Sequence, residues 1–190
     1  MNSLLQIYYG DGKGKTTAAL GLAMRAAGHG FKVRIIQFMK GNGYSGELAS
    51  AFKLGIEMFQ FGRPCPHAEL IKNGSMQCDD CGQCWISSEN ITELDRKNIA
   101  MAWQLTQESV QGGQIEILIL DEILHVLDME LIAKDILMSW LQKLPSNTEI
   151  ILTGSKVSPE LLARADLVSE VRKIKHPFEQ DIKARRGIEY

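Results

Sequence analysis

Two short stretches carry residues whose types and spacing suit a phosphorylated ligand. The first is Gly10-Asp11-Gly12-Lys13-Gly14-Lys15-Thr16-Thr17, which follows the apolar, β-prone run Leu4-Leu5-Gln6-Ile7-Tyr8-Tyr9 and opens an alanine-rich, helix-prone segment. Strand, glycine loop, lysine, hydroxyl and helix in that order form a phosphate-binding loop. Glycines let successive backbone N–H groups converge on phosphate oxygens, because a Cβ would bar the required backbone angles. The N-terminus of the helix adds its unsatisfied N–H groups and the positive end of its dipole. Lys15 would neutralise the outer phosphates as a point charge, and the Thr16 hydroxyl would sit on Mg²⁺. The expected nucleotide contacts are therefore Gly10, Asp11, Gly12, Lys13, Gly14, Lys15, Thr16 and Thr17. The usual pattern has a glycine where Tyr9 stands, so this loop is one residue short. The shortening implies phosphates held differently from those of hydrolytic ATPases.

The second stretch is Asp121-Glu122, directly after the apolar run Ile117-Leu118-Ile119-Leu120. Such a run reads as a buried parallel strand. Carboxylates at its end lie on the sheet's carboxyl edge beside the glycine loop, where α/β proteins bind ligands. One would hold Mg²⁺, and the other would ligate metal or polarise a reactant. Thr16, Asp121 and Glu122 are thus the expected Mg²⁺ ligands, and ATP with Mg²⁺ the expected ligand.

A third group is sulfur. Cys65, Cys78, Cys81 and Cys84 are the only cysteines, spaced C-x12-C-x2-C-x2-C, with His67 nearby. Two-residue gaps let neighbouring thiolates converge, and four would close a tetrahedral zinc site or hold an iron–sulfur cluster. Softness does not choose between zinc and iron. Free or redox-sensitive thiols in a loop are the alternative.

The elements that must position these groups alternate. Strands are expected at Leu4–Tyr9, Lys32–Phe38, Ile56–Phe61, Ile115–Leu120, Glu149–Thr153 and Leu167–Ile174. Helices are expected at Thr17–Ala27, about Gly46–Leu54, from about Asn90 to Gly112, and about Glu130–Leu144. The last would bury Leu131, Leu137, Met138 and Leu141, and a further helix starts at Ser158-Pro159-Glu160. Asn90 and Glu93 could form a capping box, with Ile91, Leu94, Ala102 and Leu105 near one face. Lys40-Gly41-Asn42-Gly43 reads as a loop where the second strand ends, and Lys175–Tyr190 as a polar tail. This order gives an α/β fold: one domain, residues 1–190, with a mostly parallel sheet flanked by helices. A Cys-rich insertion at about 62–90 interrupts it.

The net charge of −2 argues against a nucleic-acid footprint or an anionic membrane as partner. No apolar run approaches the ~20 residues of a membrane span, and no basic region with an apolar signal segment opens the chain. A cytoplasmic protein is expected, where clustered cysteines favour metal or redox chemistry over disulfides.

Several blocks together resemble the ATP:corrinoid adenosyltransferases. They are Tyr9–Ala19, Ala26-Ala27-Gly28-His29-Gly30, Gln37-Phe38-Met39-Lys40-Gly41, Leu120-Asp121-Glu122, Ile151-Leu152-Thr153-Gly154, Ala165–Glu170, and Ile174–Phe178 with Gly187-Ile188-Glu189-Tyr190. They occur in the family's order and span nearly the whole chain, apart from residues 62–90. The resemblance implies the architecture of phosphate-loop NTPases (RecA-like) and a transfer reaction: the 5′-deoxyadenosyl group of ATP passes to the Co(I) of a corrinoid, and triphosphate is released, in adenosylcobalamin biosynthesis or salvage. It implies Lys15 and Glu122 as catalytic residues, Lys40 as a ligand contact, a separate electron donor for cobalt, and a homodimer. Family members displace the lower cobalt ligand with Phe-Thr-Trp, which here corresponds to Gln83-Cys84-Trp85. Trp85 carries over and the phenylalanine does not. His67, His125 and His176 receive no role.

Two other readings stay open from the residues alone. One is an ATPase or kinase of the same fold, with Glu122 orienting water or an acceptor. The other is a non-catalytic ATP-binding sensor of metal or redox state.

Overall fold

The computed structural model describes residues 3–41, 43–145 and 147–190; Asn42 of the loop expected after the second strand lies outside them. In chain order the elements are β1 (Leu5–Tyr9), α1 (Lys15–Gly28), β2 (Val33–Phe38), α2 (Gly46–Lys53), β3 (Glu57–Phe61), α3 (Ala68–Lys72) and α4 (Glu93–Val110). They continue with β4 (Ile117–Asp121), α5 (Ile123–Asp128), α6 (Lys134–Leu141), β5 (Glu149–Gly154), α7 (Pro159–Arg164) and β6 (Leu167–Glu170). A 3₁₀ turn, Pro177–Gln180, precedes the C-terminal residues. The strands form one six-stranded sheet in the order β3-β2-β4-β5-β1-β6, every neighbouring pair parallel. This is the expected α/β architecture, consistent with that of phosphate-loop NTPases. Among the described residues no helix is long and apolar enough to cross a membrane.

Strand alternation sorts the core into two layers. Side chains point to opposite faces at successive positions. Leu118 and Leu120 of β4, Ile150 and Leu152 of β5, and Ile36 and Phe38 of β2 therefore pack with Ile99, Ile123 and Leu137 of the helices on one face. Ile119, Ile151, Val33 and Ile35 pack with Ala19, Ala23 and Ala26 on the other. Those alanines let α1 lie close against the sheet. The same period places Gln37, Asp121 and Thr153 on the α1 side.

Helix ends explain where the sequence reading held and where it failed. The expected stop at Gly28-His29-Gly30 is a Schellman motif: Gly30 (φ 83°) donates to Ala27 O and Phe31 to Ala26 O. Of the stretch expected as one helix over Glu130–Leu144, only Lys134–Leu141 is helical, as α6, and a separate helix, α5, precedes it across a turn. α5 starts at Ile123, seven residues before that expected start, because Ile123, Leu124 and Val126 bury themselves directly after β4. It ends in the same motif, with Glu130 (φ 54°) in the left-handed position, Glu130 N bonded to Leu127 O and Leu131 N to Val126 O. No glycine announces that stop.

Two further expectations are corrected. Helix α4 is capped by Thr92 and Asp95, whose backbone N–H groups and side chains bond reciprocally, and not by Asn90 and Glu93. Leu94 consequently faces solvent. Strand β6 ends at Glu170, not Ile174, because the chain then leaves the sheet edge and crosses the glycine loop. Val171 N still donates to Tyr9 O at 2.7 Å, Gly12 N donates to Val171 O at 2.8 Å, and Lys173 N donates to Asp11 Oδ1 at 3.0 Å.

Candidate active site

The glycine loop joins β1 to α1 at the sheet's carboxyl edge. Gly10 takes φ 121°, and a Cβ there would lie 2.3 Å from Val171 O, so only glycine admits the crossing strand. Gly14, also at φ 121°, turns the chain into α1 as its cap. Gly10, Asp11 and Gly12 thus face residues 171–173, while Lys13, Gly14, Lys15, Thr16 and Thr17 line a cavity of about 600 Å³. Lys40 and Glu122 line it too, with Glu47, Glu189 and Tyr190 closing other sides. Lys15 folds back to donate to Gly12 O at 2.7 Å.

Asp121 is the hub beneath this cavity. It is 1 % exposed and fully partnered. Oδ1 accepts from Thr16 Oγ1 at 2.8 Å and from Thr153 Oγ1 at 2.6 Å. Oδ2 accepts from Lys40 Nζ at 2.6 Å and from Gln37 Nε2 at 3.0 Å. Burial alone would raise the Asp121 carboxyl, but the Lys40 charge and these hydrogen bonds hold it below the usual range. Lys40 is the converse: burial opposes its charge, yet Asp121 and then Glu122 carry its pKa upward.

Glu122 differs. It adopts the left-handed conformation (φ 64°) at the start of α5, uncommon for a non-glycine residue. Its N–H donates to Thr153 Oγ1 at 2.9 Å, while its side chain borders the cavity. Burial, then the Asp121 charge, push its carboxyl pKa up.

The donor set fits Mg²⁺. A hydroxyl and two carboxylates, all hard oxygen, are what that ion takes alongside phosphate and water. The Lys40 ammonium, 3.0 Å from Thr16 Oγ1 and 2.6 Å from Asp121 Oδ2, shows that the pocket between these oxygens accommodates positive charge.

Trp85 is two-thirds exposed and lines a second, small cavity of about 100 Å³ with Phe38, Met39, Lys40, Ile86, Glu122 and His125. Lys40 and Glu122 therefore form a wall common to both cavities. Arg63 fixes the tryptophan's loop. Its guanidinium pairs with the buried Asp95 at 2.6 Å and donates to the backbone oxygens of Trp85 and Asn90.

A family model for ATP:corrinoid adenosyltransferase BtuR/CobO/CobP matches residues 1–190. The chain belongs to the ATP:corrinoid adenosyltransferases. Among curated proteins it is 30% identical to a corrinoid adenosyltransferase of Escherichia coli strain K12 and to one of Salmonella typhimurium, over 98% of this chain and 85% of each relative. It is 28% identical to one of Pseudomonas aeruginosa, over 98% of this chain and 83% of that relative. The proteins so named are transferases, and this adenosyltransferase shares their sequence across nearly its whole length.

Within this member of the family the cysteines occupy one place. All four are free, and they line a cavity of about 690 Å³ with Tyr44, Trp85 and Tyr190. Burial, then the neighbouring Cys65, raise the Cys84 thiol, and Cys78 and Cys81 add to the effect. Among the described residues no group of three or more His, Cys, Asp or Glu side chains is set to close on a single ion.

The C-terminal residues are the part of the site that motif spacing alone does not reveal. Glu189 pairs with Lys13 at 3.0 Å. Tyr190 lines both the cavity at the glycine loop and the thiol cavity, and its ring meets that of Tyr44 edge-on at 5.2 Å. Gln37 and Thr153 were also missed as site residues. Their signal was strand register, since Gln37 stands opposite Asp121.

Proposed function

We propose that this protein transfers the 5′-deoxyadenosyl group of ATP to the Co(I) of a corrinoid and releases triphosphate intact. The observation that carries the reading is the shared wall. Lys40 and Glu122 border a cavity equipped for phosphate on one side and an aromatic-lined cavity on the other. A hydrolase needs room for water alone at the second position, whereas a transferase needs a second substrate. Co(I) is already a strong nucleophile, so the protein's task is placement and electrostatics.

Lys15, with the N–H groups at the start of α1, stabilises charge that accumulates on the leaving triphosphate. Thr16, Asp121 and Glu122 would hold Mg²⁺, which when bound neutralises the same charge. Asp121 positions the Thr16 hydroxyl, and Glu122 is the carboxylate facing the cavity. Lys40 stands between the two substrates, and Trp85 offers its ring to the corrinoid face. Cys65, Cys78, Cys81 and Cys84 would hold a soft metal, zinc or iron with sulfide. A cytoplasmic setting, an external electron donor, a homodimer and a place in cobalamin biosynthesis complete the reading.

The deciding experiment supplies ATP, Mg²⁺ and a corrinoid chemically reduced to Co(I). Corrinoid-dependent appearance of intact triphosphate, with the absorbance change of a new cobalt–carbon bond, is expected. ADP or phosphate formed equally without corrinoid would overturn the reading.

A further inference from the structure

We propose that Cys65, Cys78, Cys81 and Cys84 hold an iron–sulfur cluster that passes single electrons to the cobalt of the corrinoid. The cluster stands on the geometry of the thiols alone; the electron's destination rests on the transfer reaction proposed for the site.

Spacing and placement favour a cluster over zinc. Three thiols at C-x2-C-x2-C with a fourth supplied from elsewhere in the chain match the way thiolates hold a four-iron cluster. A zinc ion draws each sulfur to about 2.3 Å, which brings the sulfurs to within about 4 Å of one another. Here all four thiols line one and the same cavity of about 690 Å³. A cluster has separate irons, each needing one thiolate, and so fits ligands that surround a volume. The segment that carries three of the cysteines has no regular secondary structure, so its side chains can adjust cheaply to the cluster. It is moored at Cys78, whose N–H donates to Tyr190 Oη at 3.2 Å and whose sulfur accepts from Tyr44 Oη at 3.6 Å.

The position also gives the cluster two ends. Cys81 is exposed and Cys65 buried, so one edge faces solvent, where an external one-electron carrier can reach it. Cys84 leads to its neighbour Trp85, which lines both the thiol cavity and the small cavity bordered by Lys40 and Glu122. The reduced cluster gives one electron to Co(II), which becomes Co(I). The cluster is left oxidised by one electron and is restored by a low-potential one-electron carrier. No proton moves and no protein bond changes in this step.

The test uses the whole protein purified without oxygen and reconstituted with ferrous iron and sulfide. About four irons and four acid-labile sulfides per chain are expected, together with a paramagnetic signal on reduction with dithionite. The Cys81→Ser variant is expected to lose that signal while still adenosylating a corrinoid supplied as Co(I). One bound zinc without sulfide, or no bound metal, overturns the proposal. In the second arm the reduced, cluster-bearing protein is freed of dithionite and mixed with ATP, Mg²⁺ and a Co(II) corrinoid. Adenosylated product approaching one per cluster is expected, with oxidation of the cluster, and none with Cys81→Ser. A cluster that stays reduced while no product forms overturns the relay. Failure of the wild-type protein to adenosylate preformed Co(I) would instead count against the transferase reading, so the two failures are separate.

Discussion

The ammonium of Lys40 lies 2.6 Å from Oδ2 of Asp121, a charge pair at the ends of two adjacent strands, β2 and β4. Asp121 is buried, so removing its cation leaves a carboxylate partnered only by neutral donors. Breaking a buried pair from one side costs about 3–5 kcal/mol. Gln37, Thr16 and Thr153 remain as donors, so Lys40→Met should cost about 3 kcal/mol, at the lower end of that range. Urea denaturation measures it. Added Mg²⁺ should recover part of the loss in the variant, by supplying positive charge to the same carboxylate, and an unchanged midpoint in the variant would contradict the pairing.

Lys15 behaves differently, because the hydrogen bond it makes is to the Gly12 carbonyl of its own loop. Lys15→Ala should leave the urea midpoint close to that of the wild type. Adenosyl transfer should fall by about 10²- to 10³-fold, the usual effect of deleting one charge-stabilising group. Stopped assays with Co(I) corrinoid read this directly, and full activity in the variant would remove the loop from the mechanism.

Arg63 and Asp95 provide a pH signature away from the cavity. Burial opposes the Asp95 charge, but the Arg63 guanidinium and Thr92 win and bring its pKa to about 2, from 3.8. A depressed carboxyl stabilises the fold fully above its unfolded pKa, and that stability is lost as pH falls through the folded value. The window therefore runs from about pH 4 down to about pH 2, with a magnitude of about 2 kcal/mol. Arg63→Met should flatten the stability profile in that window and also release the loop that carries Trp85. Denaturation midpoints taken at a series of acid pH values check the first effect, and tryptophan fluorescence the second.

Gly10 and Gly14 share φ 121° but not surroundings. An alanine at Gly14 meets no atom of the described residues within 4 Å, so its penalty is backbone strain, about 1–3 kcal/mol. An alanine at Gly10 adds a collision with the Val171 carbonyl at 2.3 Å. Gly10→Ala should be the more destabilising of the two in thermal unfolding, and it should expose the segment after β6 to proteolysis, where Gly14→Ala should not.

Local signals made much of the fold readable. Apolar runs, four of them ending in glycine or acid, located five of the strands to within two residues of either end. Gly30 and Gly55, in left-handed turns, closed α1 and α2 where expected. What local pattern did not carry were decisions made by distant partners. Glu130 stops α5 with a residue that gives no warning. β6 stops early because the glycine loop takes up the backbone of Val171. Asp95 caps α4 because Arg63, thirty-two positions earlier, neutralises it there. The site divides in the same way. Lys15, Thr16, Asp121 and Glu122 were visible as residue types at telling places. Gln37, Thr153 and Glu189 are ordinary polar residues until register and the return of the tail bring them to the same cavity.

Alternation along β4 has a consequence for length. Asp121 faces α1 only because an even number of steps separates it from Ile117 and Ile119, which face the same way. One residue inserted upstream in that strand would present an aliphatic chain to Thr16, Gln37 and Lys40, and one deleted would present Glu122. Substitution within the strand can be graded, mild or severe, but a change in residue count inverts the whole ladder at once. The seat proposed for magnesium is thus secured by arithmetic parity as much as by the carboxylate itself.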